Sequence, residues 1–361
     1  MNTPQTSASA LEKSNLTLGY MPLTDALPLL AAQHQGCFQQ AGLNVTLQQE
    51  VSWANIRDKL IVGHVDAAQM LAPMLLTTHL GIGSLKKPMY APIALARNGN
   101  ALTISNALAE ELQLTDIASR DASQIARQLL TVIQQRRRQQ NARLVFAVVF
   151  PFSVHNLLLR DWLAGADIHP DNDIELVVLP PSQMVDHLRL QHIDGFFAGA
   201  PWNSVAIQQG VGQCLLPATR LWDKAPDKVL GVRRDWANTH PNTLTALTRA
   251  IQQGGRWCHE HPQQAASLLA EVLEQPLQAI LPALSGEFIY KQGDAAVAIK
   301  DMLVLQPEVA AAAEHAHAEW FLNQMLRWGW IDPDTNIPAV ARECFAGDRF
   351  RDTYNTHQSG S

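Results

Sequence analysis

Several residues of this chain carry groups able to hold a small anion, and most of them follow a strand-like run. Trp53 offers an indole N–H after Leu43–Val51, and Asn100 offers an amide after Met89–Ala96. His155 offers an imidazole after Leu144–Phe150. Pro180 and Pro181 follow Ile174–Leu179 and open the backbone there, and Ala200-Pro201-Trp202 follows Gly195–Ala198. Lys228, an ammonium, lies on a segment read as a crossing between lobes. Singly, each has a plain structural reading: a tryptophan in a core, a histidine at a helix cap, a solvated lysine. Together they fall where open α/β sheets bind ligands, beyond the carboxyl ends of strands. N–H donors and a cation in a dry cleft suit an anion, because charge-assisted hydrogen bonds are the strong ones.

The elements that must position them alternate. Leu16–Tyr20 reads as a strand, Ala26–Ala41 as a helix ended by Gly42, and Leu43–Gln48 as a strand. Ile56–Val62 is helical, Val65–Ala67 a short strand, Pro73–His79 a helix and Met89–Ala96 a strand. The pattern restarts with a helix over Ala122–Gln140 and strand Leu144–Phe150, then helix His155–Ala164, strand Ile174–Leu179, helix Ser182–Leu190 and strand Gly195–Ala198. Strand–helix alternation of this kind builds a parallel or mixed sheet covered by helices. Two such sets predict two lobes: residues 16–104 with 229–340, and residues 105–228, with 1–15 and 341–361 as terminal segments. From about 229 the periodicity is helical, over Asn242–His259, Pro262–Leu273, Pro276–Leu284, Asp294–Leu303 and Glu308–Gly329. Crossings near 100–105 and 222–230 would form a hinge.

The chain has 361 residues, enough for two cores, with 47% hydrophobic and 17% charged residues. A formal net charge of −6 argues against direct nucleic-acid binding. The basic run Gln134–Gln140 reads as a solvated helix end. Cys37, Cys214, Cys258 and Cys344 form no C-x-x-C pair, and reduced thiols are the simplest reading. Met1–Asn15 contains no basic and then apolar run of the secretory kind, which gives the expectation of a cytoplasmic protein.

Signatures of common enzymes do not occur: no G-x-S-x-G, no G-x-x-x-x-G-K-[ST], no G-x-G-x-x-G. Gly81-Ile-Gly83-Ser reads as a turn. Cys258-His259-Glu260-His261 would fan its ligands around a helix axis, and His315 and His317 point apart; helical zinc sites prefer i, i+4 spacing. Neither is read as a metal site, and no cofactor is expected.

The words S-W-A-N-I-R-D-K-L at 52–60 and D-A-A-Q-M-L-A-P-M at 66–74 resemble the nitrate- and bicarbonate-binding proteins of bacterial ABC importers. So do Pro22-Leu-Thr-Asp25, Asn98-Gly-Asn100, the F-P-x-x-x-H ending at His155, L-P-P-S-Q-M-V at 179–185, P-W-N at 201–203 and L-W-D-K-A-P-D-K-V-L-G-V at 221–232. The likeness runs from about 16 to 340. It implies an α/β, two-lobed periplasmic-binding-protein type II fold with a C-terminal helical extension on the first lobe. It also implies a ligand held by Trp53, Asn100, His155, the Pro180-Pro181 backbone and Lys228. Bicarbonate binders of this family carry an acidic residue at the lysine position, working with calcium, so Lys228 favours nitrate or nitrite. Two positions depart from the transport members: Asn100, where one has glutamine, and Ala200, where glutamate is frequent.

Joined to the plain N-terminal sequence, the resemblance implies a cytoplasmic nitrate/nitrite sensor of the NasS type. Such a sensor, ligand-free, holds a NasT-type RNA-binding antiterminator and releases it on binding the anion. Three other readings stand beside it: the receptor of an ABC importer for nitrate or a related anion, a sulfonate or bicarbonate binder, and an enzyme on a pyrimidine precursor.

Overall fold

The computed structural model describes residues 10–113, 115–310 and 314–345. Its strands, in chain order, are β1 (Asn15–Tyr20), β2 (Asn44–Gln49), β3 (Ala67–Leu71), β4 (Met89–Tyr90), β5 (Ala94–Asn98), β6 (Asn100–Ser105), β7 (Leu144–Val148), β8 (Ile174–Val178), β9 (Gly195–Gly199), β10 (Gly212–Pro217), β11 (Pro226–Arg233), β12 (Glu287–Phe288), β13 (Val297–Ala298) and β14 (Leu303–Val304). Two mixed sheets form from them. One runs β14-β5-β11-β3-β1-β2 with β4 also on β11; the other runs β10-β6-β9-β7-β8.

Both sheets obey one rule. A parallel trio (β2-β1-β3, and β8-β7-β9) is extended by an antiparallel strand that has just arrived from the other lobe. In the first sheet that strand is β11, with Lys228 opposite Leu71 at the carboxyl end of β3. In the second it is β6, with Asn100 opposite Gly199 at the carboxyl end of β9. Antiparallel pairing therefore brings the beginning of each incoming strand to the edge where the parallel strands end. Both edges face one cleft.

The chain crosses between the sheets at Gly99 and again over residues 218–225. The boundaries drawn from sequence at 104/105 and 228/229 shift accordingly: Asn100–Ser105 lies wholly in the second sheet and Pro226–Arg233 wholly in the first. Asn98 and Gly99 both take positive φ, 60° and 84°, which turns the chain sharply between sheets. The two crossings are tied together. Asn98 N–H donates to Ala225 O at 2.9 Å, and Ala225 N–H donates to Asn98 Oδ1 at 2.9 Å.

The helical extension packs on the first lobe through Pro241–Glu260 against Leu27–His34. It also reaches the second: Leu277–Ser285 meets Trp202–Gln208, and His315–Arg327 touches both Ala72–Leu80 and Val154–Ala164. The aliphatic and aromatic core of the second lobe runs on into this strap, including Phe321, Leu322 and Met325.

Several local expectations change. The helix expected over Ala26–Ala41 is broken at Gly36, which has φ 70°, into Leu27–His34 and Cys37–Gln40. Met89–Ala96 divides into β4 and β5. Asp294–Leu303, expected as a helix, is irregular with β13 and the start of β14, because Val297–Ala298 pairs with β12 and Leu303–Val304 extends the first sheet. Within Glu308–Gly329 the described helices are Pro307–Ala310 and His315–Arg327. Of the expected terminal segments, 1–9 and 346–361 lie outside the described residues.

Candidate functional site

Trp53 and His155 reach the cleft by the same local device in opposite lobes. Ser52 Oγ accepts from Asn55 N–H at 3.2 Å, capping the Trp53–Val62 helix. Ser153 Oγ accepts from Asn156 N–H at 3.1 Å, capping Val154–Ala164. A serine in extended backbone followed by the first helical turn stops the strand run and starts the helix. Trp53 is the first residue of its helix and His155 the second of its own, so both side chains sit at positive helix ends, where an anion is favoured. Both are 1% exposed. Trp53 Nε1 and both ring nitrogens of His155 are buried without a hydrogen-bond partner among the described residues.

Between them lies Lys228, fully buried, its Nζ 5.5 Å from the Trp53 ring centroid. Sequence reading treats Lys228 as the charge that would neutralise an anion. In the structure that charge is already paired: Lys228 Nζ lies 3.0 Å from Asp25 Oδ2 and donates to Asp227 Oδ2. An ammonium taken out of water needs counter-charges, and here it has two. Burial opposes the charge on Lys228, but Asp227 and Asp25 outweigh it and hold the ammonium above its ordinary pKa.

Asp227 and Lys228 are neighbours in a strand, where successive side chains point to opposite faces. They share the cleft because the pairing of β11 with β5 slips on both sides of Lys228. Such an irregularity re-aims a side chain. Asp227 also accepts from Asn100 Nδ2 at 2.9 Å, and its Oδ2 is 3.9 Å from His155 Nε2. Asp25, just past β1, accepts from Gln69 Nε2, while Gln69 Oε1 accepts from Met21 N–H at 2.8 Å. Asn100 Oδ1 and Asp227 Oδ1 are left without a partner among the described residues.

The titrations are set by burial first. Asp25 is raised to about 6 by desolvation, with Lys228 opposing and the charge of Asp227 adding. Burial also presses Asp227 upward, but Lys228 and His155 outweigh it and its pKa falls. His155 is pushed down to about 3 by burial, against the pull of Asp227 and with Lys228 adding, so the imidazole is neutral.

The cleft is closed: Thr24 N–H of the first lobe donates to Ala200 O of the second at 3.0 Å. Trp53, Asn100, His155 and Lys228 thus come together. Pro180 and Pro181 do not touch that inner group in any described hydrogen bond. Pro180 caps the Pro181–Arg189 helix, and Pro181 lines a recess of ≈ 200 Å³ at the mouth with Met21, Pro22, Ser182 and Trp202. A wider recess of ≈ 660 Å³ around Leu11, Asn242 and Arg249 holds one charged side chain and none of the buried polar atoms just described.

Asp25, Asp227 and Gln69 were given no role by sequence reading. Asp25 and Asp227 lie in the P-L-T-D and P-D-K-V words, and the D-K pair beside a buried-type run was the available signal. Of the histidines at 259–261 and 315–317, His261 stacks on Trp257 and His317 tilts against Trp222. Among the described residues no three metal-binding side chains converge. The four cysteines are buried free thiols.

Residues 9–274 match the NMT1-like family. The chain belongs to that family. Its relatives include the nitrate import ATP-binding protein NrtC of Synechocystis, 37% identical over 352 residues, covering 95% of this chain and 50% of that protein. The chain therefore spans about half the length of NrtC, as it does of the bicarbonate transport ATP-binding protein CmpC. The nitrate/nitrite binding protein NrtA of Synechococcus elongatus is 32% identical over 356 residues, covering 95% of this chain and 78% of its own. Among solved structures, the periplasmic nitrate-binding protein NrtA from Synechocystis PCC 6803 superposes with a TM-score of 0.89 at 26% identity, over 98% of this chain and 91% of that one. The family carries the two-lobed periplasmic-binding-protein fold. The sulphonate-binding protein SsuA of Escherichia coli shares it at a TM-score of 0.63 and 12% identity, over 91% of this chain and 97% of its own.

Proposed function

We propose that this protein binds nitrate or nitrite in the cleft between its lobes and works as a cytoplasmic sensor. Without the anion it holds a NasT-type RNA-binding antiterminator; with the anion it lets the antiterminator go, and nitrate-assimilation genes are read through. The observation that carries the anion reading is the pair of buried, unpartnered donors, Trp53 Nε1 and His155, brought from opposite lobes to one lysine. The relatives named for nitrate and nitrite support the choice of anion.

Nitrate is planar, diffuse in charge and small. At roughly 1.5 kcal/mol per heavy atom, four atoms supply about 6 kcal/mol, a dissociation constant of tens of micromolar. The protein discriminates by geometry and desolvation, since a ligand with more hydrogen-bonding demand leaves groups unpaired. On this reading the chain is a binding protein and catalyses no reaction.

The sensing step rests on the hinge. If the antiterminator prefers the open lobes and the anion the closed ones, the two oppose each other by one coupling energy. The net charge of −6 suits a partner with a basic, RNA-binding face. Titration calorimetry with nitrate, nitrite, bicarbonate and an alkanesulfonate tests the ligand. Size-exclusion chromatography of sensor and antiterminator, with and without nitrate, tests the switch; a complex that survives saturating nitrate and nitrite rules the sensing step out.

A second reading has its own support. The relatives NrtC and CmpC bear transport names, so the same cleft would serve as the receptor of a small-anion ABC importer. Capture of a membrane permease in place of an antiterminator would favour it.

A further inference from the structure

Taking the anion reading as its premise, we infer that the cleft takes up its anion together with one proton, and that Asp25 is the site of that proton. The grounds are a charge count in a closed space. Around the inner group pack the turn after β1 with Asp25, β3 with Gln69, β6 with Asn100, β9 with Gly199, β11 with Asp227 and Lys228, and the first turns of the Trp53 and His155 helices. The titratable groups these elements turn toward one another are Asp25, Asp227, Lys228 and His155. One ammonium faces two carboxylates, and the imidazole is neutral, so the group carries a net negative charge when both acids are ionised. Every member is 3% exposed or less.

A monoanion entering this space meets a charge of its own sign. At about 6 Å and an effective dielectric near 20, one extra unit of like charge weakens binding about a hundredfold. A proton on one carboxylate removes that penalty. Each carboxylate accepts two hydrogen bonds, but the Lys228 ammonium lies closer to Asp227 than to Asp25, which keeps Asp227 ionised and makes it the poorer candidate. Among the described residues Asp25 pairs with Lys228 and Gln69, and it lies against Gly199, where a Cβ would stand 3.4 Å from its Oδ2. Burial already lifts the Asp25 carboxyl to about 6 in the unliganded cleft, and an incoming anion lifts it further.

The linkage has a definite sign. When Asp25 is ionised free and protonated with the anion bound, affinity falls about tenfold per pH unit above the free-state pKa. Affinity is then level below it. The expected weakening between pH 6 and pH 8 is about twenty- to fiftyfold.

The test is calorimetry of nitrate and nitrite binding to the wild type at pH 5 to 8.5, in buffers of different ionisation enthalpy. Uptake approaching one proton per anion at pH 7.5, falling toward zero at pH 5, supports the inference, as does a new protonated-carboxyl band in the infrared difference spectrum. Binding with no linked proton across the range overturns it and leaves the anion reading standing. No binding of either anion at any pH removes the anion reading and this inference with it. Asp25→Asn should abolish the uptake and make binding independent of pH; uptake that persists in that variant and disappears in His155→Gln places the proton elsewhere and overturns the assignment. Where Asp25→Asn does not fold, the wild-type infrared band decides, its absence overturning the proposal.

Discussion

Lys228 and Asp25 form an ion pair across 3.0 Å, from β11 to the turn after β1, with 0% and 3% of the side chains exposed. A second carboxylate, Asp227, completes the pairing. The lysine expected from sequence to serve the ligand therefore also holds two elements of the first lobe together. Its charge is spent on the protein before any ligand arrives.

Removing it should be expensive. Truncation of one partner of a buried pair typically costs about 3–5 kcal/mol, because the other charge is left unpaired. Lys228→Met is expected to lower unfolding stability by about that amount at pH 8 and by less near pH 5, where Asp25 takes a proton. Urea denaturation at both values checks it; equal losses would detach Asp25 from the lysine's role.

His155 should make the fold sensitive to acid. Its pKa drops from the ordinary 6.5 to about 3 in the folded chain. A histidine depressed in this way binds its proton in the unfolded state first, so stability falls as pH drops below 6.5. The loss is about 3 kcal/mol by pH 4. Asp25, raised to about 6, acts in the opposite sense, its contribution being largest below pH 4 and lost as pH rises toward 6. His155→Gln should therefore show greater stability at pH 4 than at pH 6.5 relative to wild type, and Asp25→Asn the reverse. Denaturation midpoints of the three proteins across that range decide.

Trp53 allows its two roles to be separated. At 1% exposure, Trp53→Ala opens a cavity and is expected to cost about 3–5 kcal/mol. Trp53→Phe keeps an aromatic face beside Lys228 and deletes the Nε1 donor. On the proposed function its nitrate affinity should fall roughly tenfold, from the loss of one hydrogen bond to a charged ligand, with a far smaller change in stability. Unchanged affinity in the Phe variant would take the indole N–H out of the site.

The serine caps give a prediction independent of any ligand. Ser52→Ala and Ser153→Ala should each cost about 1 kcal/mol. Their effects should add, since the two helices lie in different lobes. Thermal or chemical denaturation of both single variants and the double variant measures this.

Much of the frame is legible in the residues. Pro262–Leu273 is bounded by a proline and a clear helical period, and the alternating run at β1 and the apolar runs at β7 and β9 mark their strands with little error. β11 goes unread as a strand because the segment 222–230 reads as a crossing between lobes. Nothing local reveals that Asp227 and Lys228 neutralise each other in a buried place. Ala-rich Asp294–Leu303 has helical propensity, and pairing with β12 and β5 overrides it.

The sequence by itself placed Trp53, Asn98–Asn100 and His155 at the ends of strand-like runs, and its resemblance to a known family singled out Asn100 and Lys228. The placement at strand ends follows from alternation and caps, which are local. Tertiary structure decided how they relate: Lys228 against Asp25 and Asp227, Asn100 against Asp227, and Pro181 beside a separate recess with Pro22 and Trp202. Burial is a property of the packed chain, and the charge a buried lysine has left to offer depends on which carboxylates are buried with it.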